Sequence, residues 1–178
     1  MIARSLFVET KKLRVFDFDD SLVKTTSFVY VKHSNGFTQK MTPGQYAKYK
    51  PIVGDEFDYS DFQQVKHPVL IKAYVELLRK MASAGGDRGV FILTARTSYR
   101  PVYEFIKSLG IQNVYVVALN DANPEKKADW IEQQIKDNGY DDVYFLDDSE
   151  ANIYAVKRRL QNYPNIKKQL QLVKEGKI

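Results

Sequence analysis

Apolar residues fall along this chain in two alternating rhythms. Four short runs are apolar almost without interruption, at Leu13–Asp17, Gly89–Leu93, Val114–Leu119 and Val143–Asp147. Runs of that length with no polar face predict strands buried on both sides, as in a parallel sheet. Between them the apolar spacing changes to three and four. Leu70, Tyr74, Leu77, Leu78 and Met81 share one face of a helix predicted over Pro68–Ala84, stopped by Gly85-Gly86. Pro101 opens a second helix with Val102, Phe105, Ile106 and Leu109 inward, ended by Gly110. Asn123-Pro124 caps a third, running through Ile131 and Ile135 to Gly139, and a fourth begins at Ser149 or Glu150 and ends near Leu160. Strands alternating with helices predict right-handed βαβ units and a three-layer α/β/α architecture with a parallel sheet, as one domain over residues 1–178. A short edge strand is expected at Gln169–Val173.

One segment breaks this rhythm. About 45 residues separate the first strand from the Pro68 helix, where a βα loop usually has ~2–6. Phe28–Val31, a turn at Ser34-Asn35-Gly36, and Phe37–Met41 predict a β-hairpin, and Thr42–Tyr49 a short helix starting at a threonine cap. The insertion, approximately residues 23–66, is expected to form a small flap over the sheet edge. The alternative is a hairpin that merely extends the sheet.

Composition narrows the class without choosing a function. The chain is 44% hydrophobic and 28% charged, has no cysteine and carries a net charge of +5, which fits a soluble globular protein. No apolar run approaches the ~20 residues a spanning helix needs, and Met1–Phe7 is too short an apolar stretch for a signal peptide. A cytoplasmic location is the expectation, with no membrane partner. The charge is unevenly placed. Ser21–Gly54 contains no acid but holds Lys24, Lys32, Lys40, Lys48 and Lys50, and a second basic group follows at Lys157, Arg158, Arg159, Lys167 and Lys168. Such patches favour phosphate-bearing partners, or are simply solvated surface.

The chemistry collects at the predicted strand ends. Asp17 and Asp19 close the first strand, Thr94 follows the second, Lys126 and Lys127 lie early in the third helix, and Asp147 and Asp148 close the fourth strand. In a parallel sheet these ends share one edge, so residues distant in sequence converge. Like charges brought together there are costly unless a cation offsets them. Several carboxylates with a hydroxyl and an ammonium suit a hard, oxygen-liganded cation and a phosphate. They do not suit zinc, since His33 and His67 both lie away from the strand ends.

Asp17-Phe18-Asp19-Asp20-Ser21-Leu22, Phe91-Ile92-Leu93-Thr94, a lysine early in the helix before the last strand, and Tyr144-Phe145-Leu146-Asp147-Asp148 together resemble the four ordered motifs of the haloacid-dehalogenase superfamily of phosphohydrolases. The likeness spans Leu13 to about Asn152 and implies a Rossmann-like fold with a small cap. It implies Asp17 as the nucleophile that forms an aspartyl-phosphate, and Asp19 as the acid that protonates the leaving oxygen and then activates water. Thr94 would hold a phosphoryl oxygen, and a lysine would neutralise charge on the transferring group. Mg²⁺ would be bound by Asp17, by Asp19 through its backbone carbonyl, and by Asp147 helped by Asp148. Lys127 lies 20 residues before Asp147 and Lys126 lies 21, so spacing alone leaves both open. Lys127 is favoured because it stands one turn before the inward Ile131, with Lys126 as a substrate contact; Arg96 and Arg100 would add phosphate contacts or are ordinary surface arginines. Asp20 stands where the superfamily often has glycine, and Ser21 where it often has threonine.

Rival readings fare worse. A calcium loop would need glycine and glutamate where Leu22 and Phe28 stand. A phospho-receiver domain has its threonine and lysine after a single aspartate, which is not the order here. A catalytically silent phosphate- or nucleic-acid-binding module remains as the non-enzyme alternative. For substrate, Asp17–Leu22, Tyr49-Lys50-Pro51, Gly54–Phe57 and Leu93–Arg96 look like phage-type members of the superfamily associated with RNA repair. That likeness implies a phosphorylated polynucleotide end, with nucleotides or other small phosphomonoesters as the alternative. The insertion's aromatics, Phe28, Tyr30, Phe37, Tyr46 and Tyr49, would then stack on bases or would form a small core of their own.

Overall fold

In the computed structural model, which describes residues 10–174, the chain runs β1 (Lys12–Phe16), β2 (Val23–Lys24), β3 (Val29–Lys32), β4 (Thr38–Met41), α1 (Pro43–Lys48), β5 (Glu56–Asp58) and β6 (Val69–Leu70). It continues α2 (Lys72–Ser83), β7 (Arg88–Thr94), α3 (Arg100–Ser108), β8 (Tyr115–Ala118), α4 (Pro124–Asn138), β9 (Asp142–Asp147), α5 (Glu150–Leu160) and β10 (Lys167–Leu172). Five strands form a parallel sheet in the order β10-β9-β1-β7-β8. The first strand is therefore central, with Val15 in register with Phe91 on one side and Phe145 on the other.

Alternation along β1 feeds two cores. Leu13 and Val15 join Phe145, Ile131, Ile135, Val156 and Leu160 under α4 and α5. Phe16 and Phe18 join Ile92, Val75, Leu78, Val102 and Ile106 under α2 and α3. The sheet is thus covered on both faces, which is why its strands read as continuous apolar runs. Each large side chain fully removed from water contributes ~1.5–3 kcal/mol. The result is a Rossmann-like α/β/α fold, as the sequence pattern predicts. The helix caps behave as expected: Asn123 accepts from the Glu125 amide and Ser149 from the Asn152 amide.

The departures are local. The helix expected from Pro68 begins only at Lys72, because Val69–Leu70 pairs antiparallel with Val23–Lys24. The Ile71 amide extends that ribbon by donating to the Leu22 carbonyl at 2.8 Å. This ribbon is the stem of the insertion. The hairpin does not extend the central sheet; it builds its own, in the order β4-β3-β5. The third strand, Glu56–Asp58, was not anticipated in an acidic stretch, yet Phe57 pairs with Val31 and packs on a core of Val29, Val31 and Met41. Thr42 caps α1 in a reciprocal capping box with Gln45. The edge strand lies at Lys167–Leu172 rather than Gln169–Val173, parallel to β9. The apolar stretch Met1–Phe7 lies outside the described residues. Among those residues no helix is long and apolar enough to cross a membrane.

Candidate active site

β1 delivers Asp17 to the C-terminal edge of the sheet, where its amide still completes the ladder to the Leu146 carbonyl at 2.8 Å. The chain then turns tightly. The amides of Ser21, Leu22 and Val23 all point at the Phe18 carbonyl, at 3.3, 3.0 and 3.3 Å. Asp20 takes φ 61°, in the left-handed region. That region favours glycine and tolerates aspartate, so Asp20 is a turn residue. The turn brings the fully buried Ser21 back over the strand end. Its hydroxyl donates to Asp17 Oδ2 at 2.7 Å, with Asp148 Oδ1 at 3.4 Å as the alternative acceptor.

Lys127 rises from the first turn of α4, on the same buried stripe as Ala128, Ile131 and Ile135. Its ammonium donates to Asp17 Oδ1 at 2.7 Å and to Asp147 Oδ2 at 2.8 Å. The spacing that left Lys126 and Lys127 open is thus decided by helix face. Lys126 is exposed and lies outside this cluster. Asp147 is fully buried, and both of its oxygens are held: Oδ1 by the Ser149 amide at 2.9 Å, Oδ2 also by Asn152 Nδ2 at 3.0 Å. Asn152 was missed in the sequence; it lies in the first turn of α5, a position with no signal of its own.

Asp17, Asp147 and Asp148 each offer a carboxylate oxygen, all within 4.8 Å of one another. Asp17 and Asp147 are buried and share the Lys127 ammonium, while Asp148 is exposed beside them, so the three acids carry two formal negative charges more than the one lysine offsets. The consequence is visible in their protonation. Burial, then the charge of Asp147, raises Asp17 well above the ordinary carboxylate range, and Lys127 opposes this without cancelling it. Partial loss of water raises Asp148 to about 6; a hydrogen bond with Asp17 opposes the shift and the charge of Asp147 adds to it. Burial disfavours the Lys127 ammonium, but Asp147 and Asp17 outweigh it and hold its pKa above that of a free lysine. An all-oxygen donor set two charges short of neutrality fits a hard divalent cation, and the set is not specific to Mg²⁺.

Asp19 and Arg96 form a separate unit. Arg96 Nε donates to Asp19 Oδ2 and Nη2 to Asp19 Oδ1, both at 2.8 Å. Arg96 Nη1 donates to the carbonyls of Phe62 and Gln64 at 3.2 and 3.1 Å. The Arg96 side chain is only 2% exposed, and most of its donors are spent within the protein on Asp19, Phe62 and Gln64, as burial of a guanidinium demands. The Asp19 carboxylate is correspondingly outside the cluster around Lys127. Thr94, 1% exposed at the end of β7, accepts from the Arg96 amide at 3.2 Å. Arg100 lines an open cleft of about 350 Å³ with Gln63, Gln64, Ser98 and Glu104, between the end of the insertion and the start of α3.

The basic and aromatic features resolve differently from the acidic cluster. Tyr46 and Tyr49 lie half-buried against the core of the insertion, whereas Phe37 is 62% exposed. Arg159 pairs with Glu125 at 2.7 Å and Asp129 at 2.6 Å, and Arg158 pairs with Glu125. These arginines join α5 to α4 instead of forming a free basic patch.

Comparison with protein-family models and with curated proteins finds no match. Among solved structures, the chain resembles the Legionella pneumophila effector Ceg4, with a TM-score of 0.52 over 95% of this chain and 90% of that chain. At 14% identity this likeness speaks to the fold alone, and it agrees with the Rossmann-like architecture described above.

Proposed function

We propose that this protein is a Mg²⁺-dependent phosphomonoester hydrolase of the haloacid-dehalogenase type, acting through an aspartyl-phosphate on Asp17. The observation that carries the reading is the acidic cluster at the sheet edge, in which the buried Asp17 and Asp147 share the Lys127 ammonium and the exposed Asp148 lies beside them. An excess of carboxylates converging on one point is costly when nothing offsets it, whereas a site for a divalent cation requires that excess. Asp17, Asp147 and Asp148, with the backbone carbonyl of Asp19, would hold the cation, which would supply charge neutralisation at the phosphoryl group.

In this reading a carboxylate oxygen of Asp17 attacks phosphorus while the bond to the leaving oxygen breaks. Asp19 gives that oxygen its proton. Water then attacks the phosphorus of the acyl phosphate, Asp19 takes the proton, and the carboxylate of Asp17 departs with phosphate released. Thr94 holds a phosphoryl oxygen. Lys127 stabilises charge on Asp17 and on the transferring group, a role supported by its 2.7 Å contact. Ser21 and Asn152 fix the two acids on which this depends. The reading keeps a cytoplasmic protein with phosphorylated partners, and favours polynucleotide ends over nucleotides or other small phosphomonoesters.

A substrate panel tests it: 4-nitrophenyl phosphate, 3′- and 5′-phosphorylated oligonucleotides, mononucleotides and sugar phosphates, each with Mg²⁺ and with chelator. Cation-dependent phosphate release is expected, highest on oligonucleotides and falling as salt rises. No release from any of them with Mg²⁺, Mn²⁺ or Co²⁺ would refute the enzyme. Equal turnover of all, indifferent to salt, would refute the polynucleotide preference alone.

A further inference from the structure

The proposed reaction leaves Arg96 without a task, yet no other described side chain joins so many parts of the site. Its guanidinium forms a two-bond fork with Asp19, at 2.8 Å on each arm. The opposite nitrogen is spent on the carbonyls of Phe62 and Gln64, which lie at the end of the insertion, in and just past a 3-10 turn at Ser60–Gln63. The rings of Phe18 and Phe62 lie 5.4 and 5.1 Å from the guanidinium carbon, and its own amide is bound by Thr94. A planar fork fixes the rotation of a carboxylate as a point charge cannot. Because one guanidinium also holds the Phe62 and Gln64 carbonyls, the end of the insertion cannot shift without loosening that fork.

We infer that Arg96 is the positioning residue for Asp19, holding its carboxylate in the orientation used at the leaving oxygen and seating the insertion against it. This rests on the proposed role of Asp19 as proton donor, and on geometry alone. Arg96 acts through Asp19 and does not touch the substrate. Its importance should therefore depend on the leaving group. An alkoxide needs a proton to depart, whereas 4-nitrophenolate leaves without one. A residue that instead bound the phosphate, as the sequence alone suggests, would matter equally for both.

The test is Arg96→Lys, which keeps the charge and loses the fork. Its kcat/KM, which covers steps through departure of the leaving group, is compared with wild type on an alkyl monophosphate and on 4-nitrophenyl phosphate. We expect a loss of about 100-fold on the alkyl ester and less than about fivefold on the aryl ester. Amide exchange should quicken at residues 60–66. In an Asp19→Asn background, where the proton is already absent, Arg96→Lys should cost nothing further on the alkyl ester. Equal losses on both esters, or full additivity with Asp19→Asn, would overturn the assignment. A wild-type protein that cleaves neither ester would instead refute the phosphatase reading, and Asp19's role with it. Thermal unfolding of Arg96→Lys separates these outcomes from misfolding: losses that track a collapsed melting temperature on both esters count against positioning.

Discussion

Lys127→Met replaces the ammonium shared by Asp17 and Asp147 with an apolar chain of similar length. The wild-type ammonium lies 2.7 Å from Asp17 and 2.8 Å from Asp147, with its side chain 4% exposed. At ~3 Å and an effective dielectric constant of ~20, each contact is worth ~5 kcal/mol before desolvation is counted. Burying the ammonium offsets much of that, so the measured cost of removing one partner should be ~3–5 kcal/mol. In a chain of this size each kcal/mol moves the melting temperature by ~2–4 °C, giving a fall of ~6–20 °C in chelator at pH 8, followed by circular dichroism. The deficit should shrink toward pH 5. Asp17 is already raised by burial and by Asp147, and losing Lys127 removes the influence that lowers it. The folded variant then binds more protons than the unfolded chain through this window, and stability is lost as pH rises. Mg²⁺ should stabilise the variant more than the wild type. A variant within ~1 kcal/mol of wild type at pH 8 in chelator, or a deficit that does not shrink on acidification, would refute the charge accounting.

Two further outcomes follow from the same geometry. Mg²⁺ affinity should rise with pH through about 6, where Asp148 releases its proton, with protons expelled on binding; titration calorimetry in buffers of different ionisation enthalpy checks this, and pH-independent affinity would contradict it. In the insertion, Asp55 accepts from Tyr49 at 2.6 Å and from the Ile52 amide at 2.9 Å, and pairs with His33 at 2.7 Å. Asp55→Ala should therefore cost the insertion ~1–3 kcal/mol. Hydrogen exchange should quicken within residues 29–58 and not in the central sheet, because the two have separate cores; equal opening of both would contradict that separation.

The central architecture was legible because its signals are local. Asn123 and Ser149 cap their helices with their own side chains, and strands covered on both faces need no polar alternation. Lys127 was readable over Lys126 for a similar reason, since helical spacing ties it to Ile131. The features that escaped are those decided by partners far along the chain. Val69–Leu70 is too short to carry a periodicity, and becomes a strand only because Val23–Lys24 lies beside it. Arg96 looks like any arginine near a strand end until Asp19, 77 residues away, takes its fork. Tyr46 and Tyr49 fit a stacking surface or a small core equally well in the sequence, and only their half-burial against Val29, Val31 and Met41 favours the core. The late arginines read as a basic patch until Glu125 and Asp129 on the neighbouring helix meet them.

The central claim is that Asp17 becomes covalently phosphorylated. Protein mixed with Mg²⁺ and 4-nitrophenyl phosphate, quenched in acid within a turnover and reduced with borohydride, would convert an acyl phosphate to homoserine, located by peptide mass. The account predicts homoserine at position 17 and nowhere else, together with loss of phosphate release in Asp17→Asn. Undiminished turnover in Asp17→Asn, or modification at another carboxylate with Asp17 intact, would contradict it.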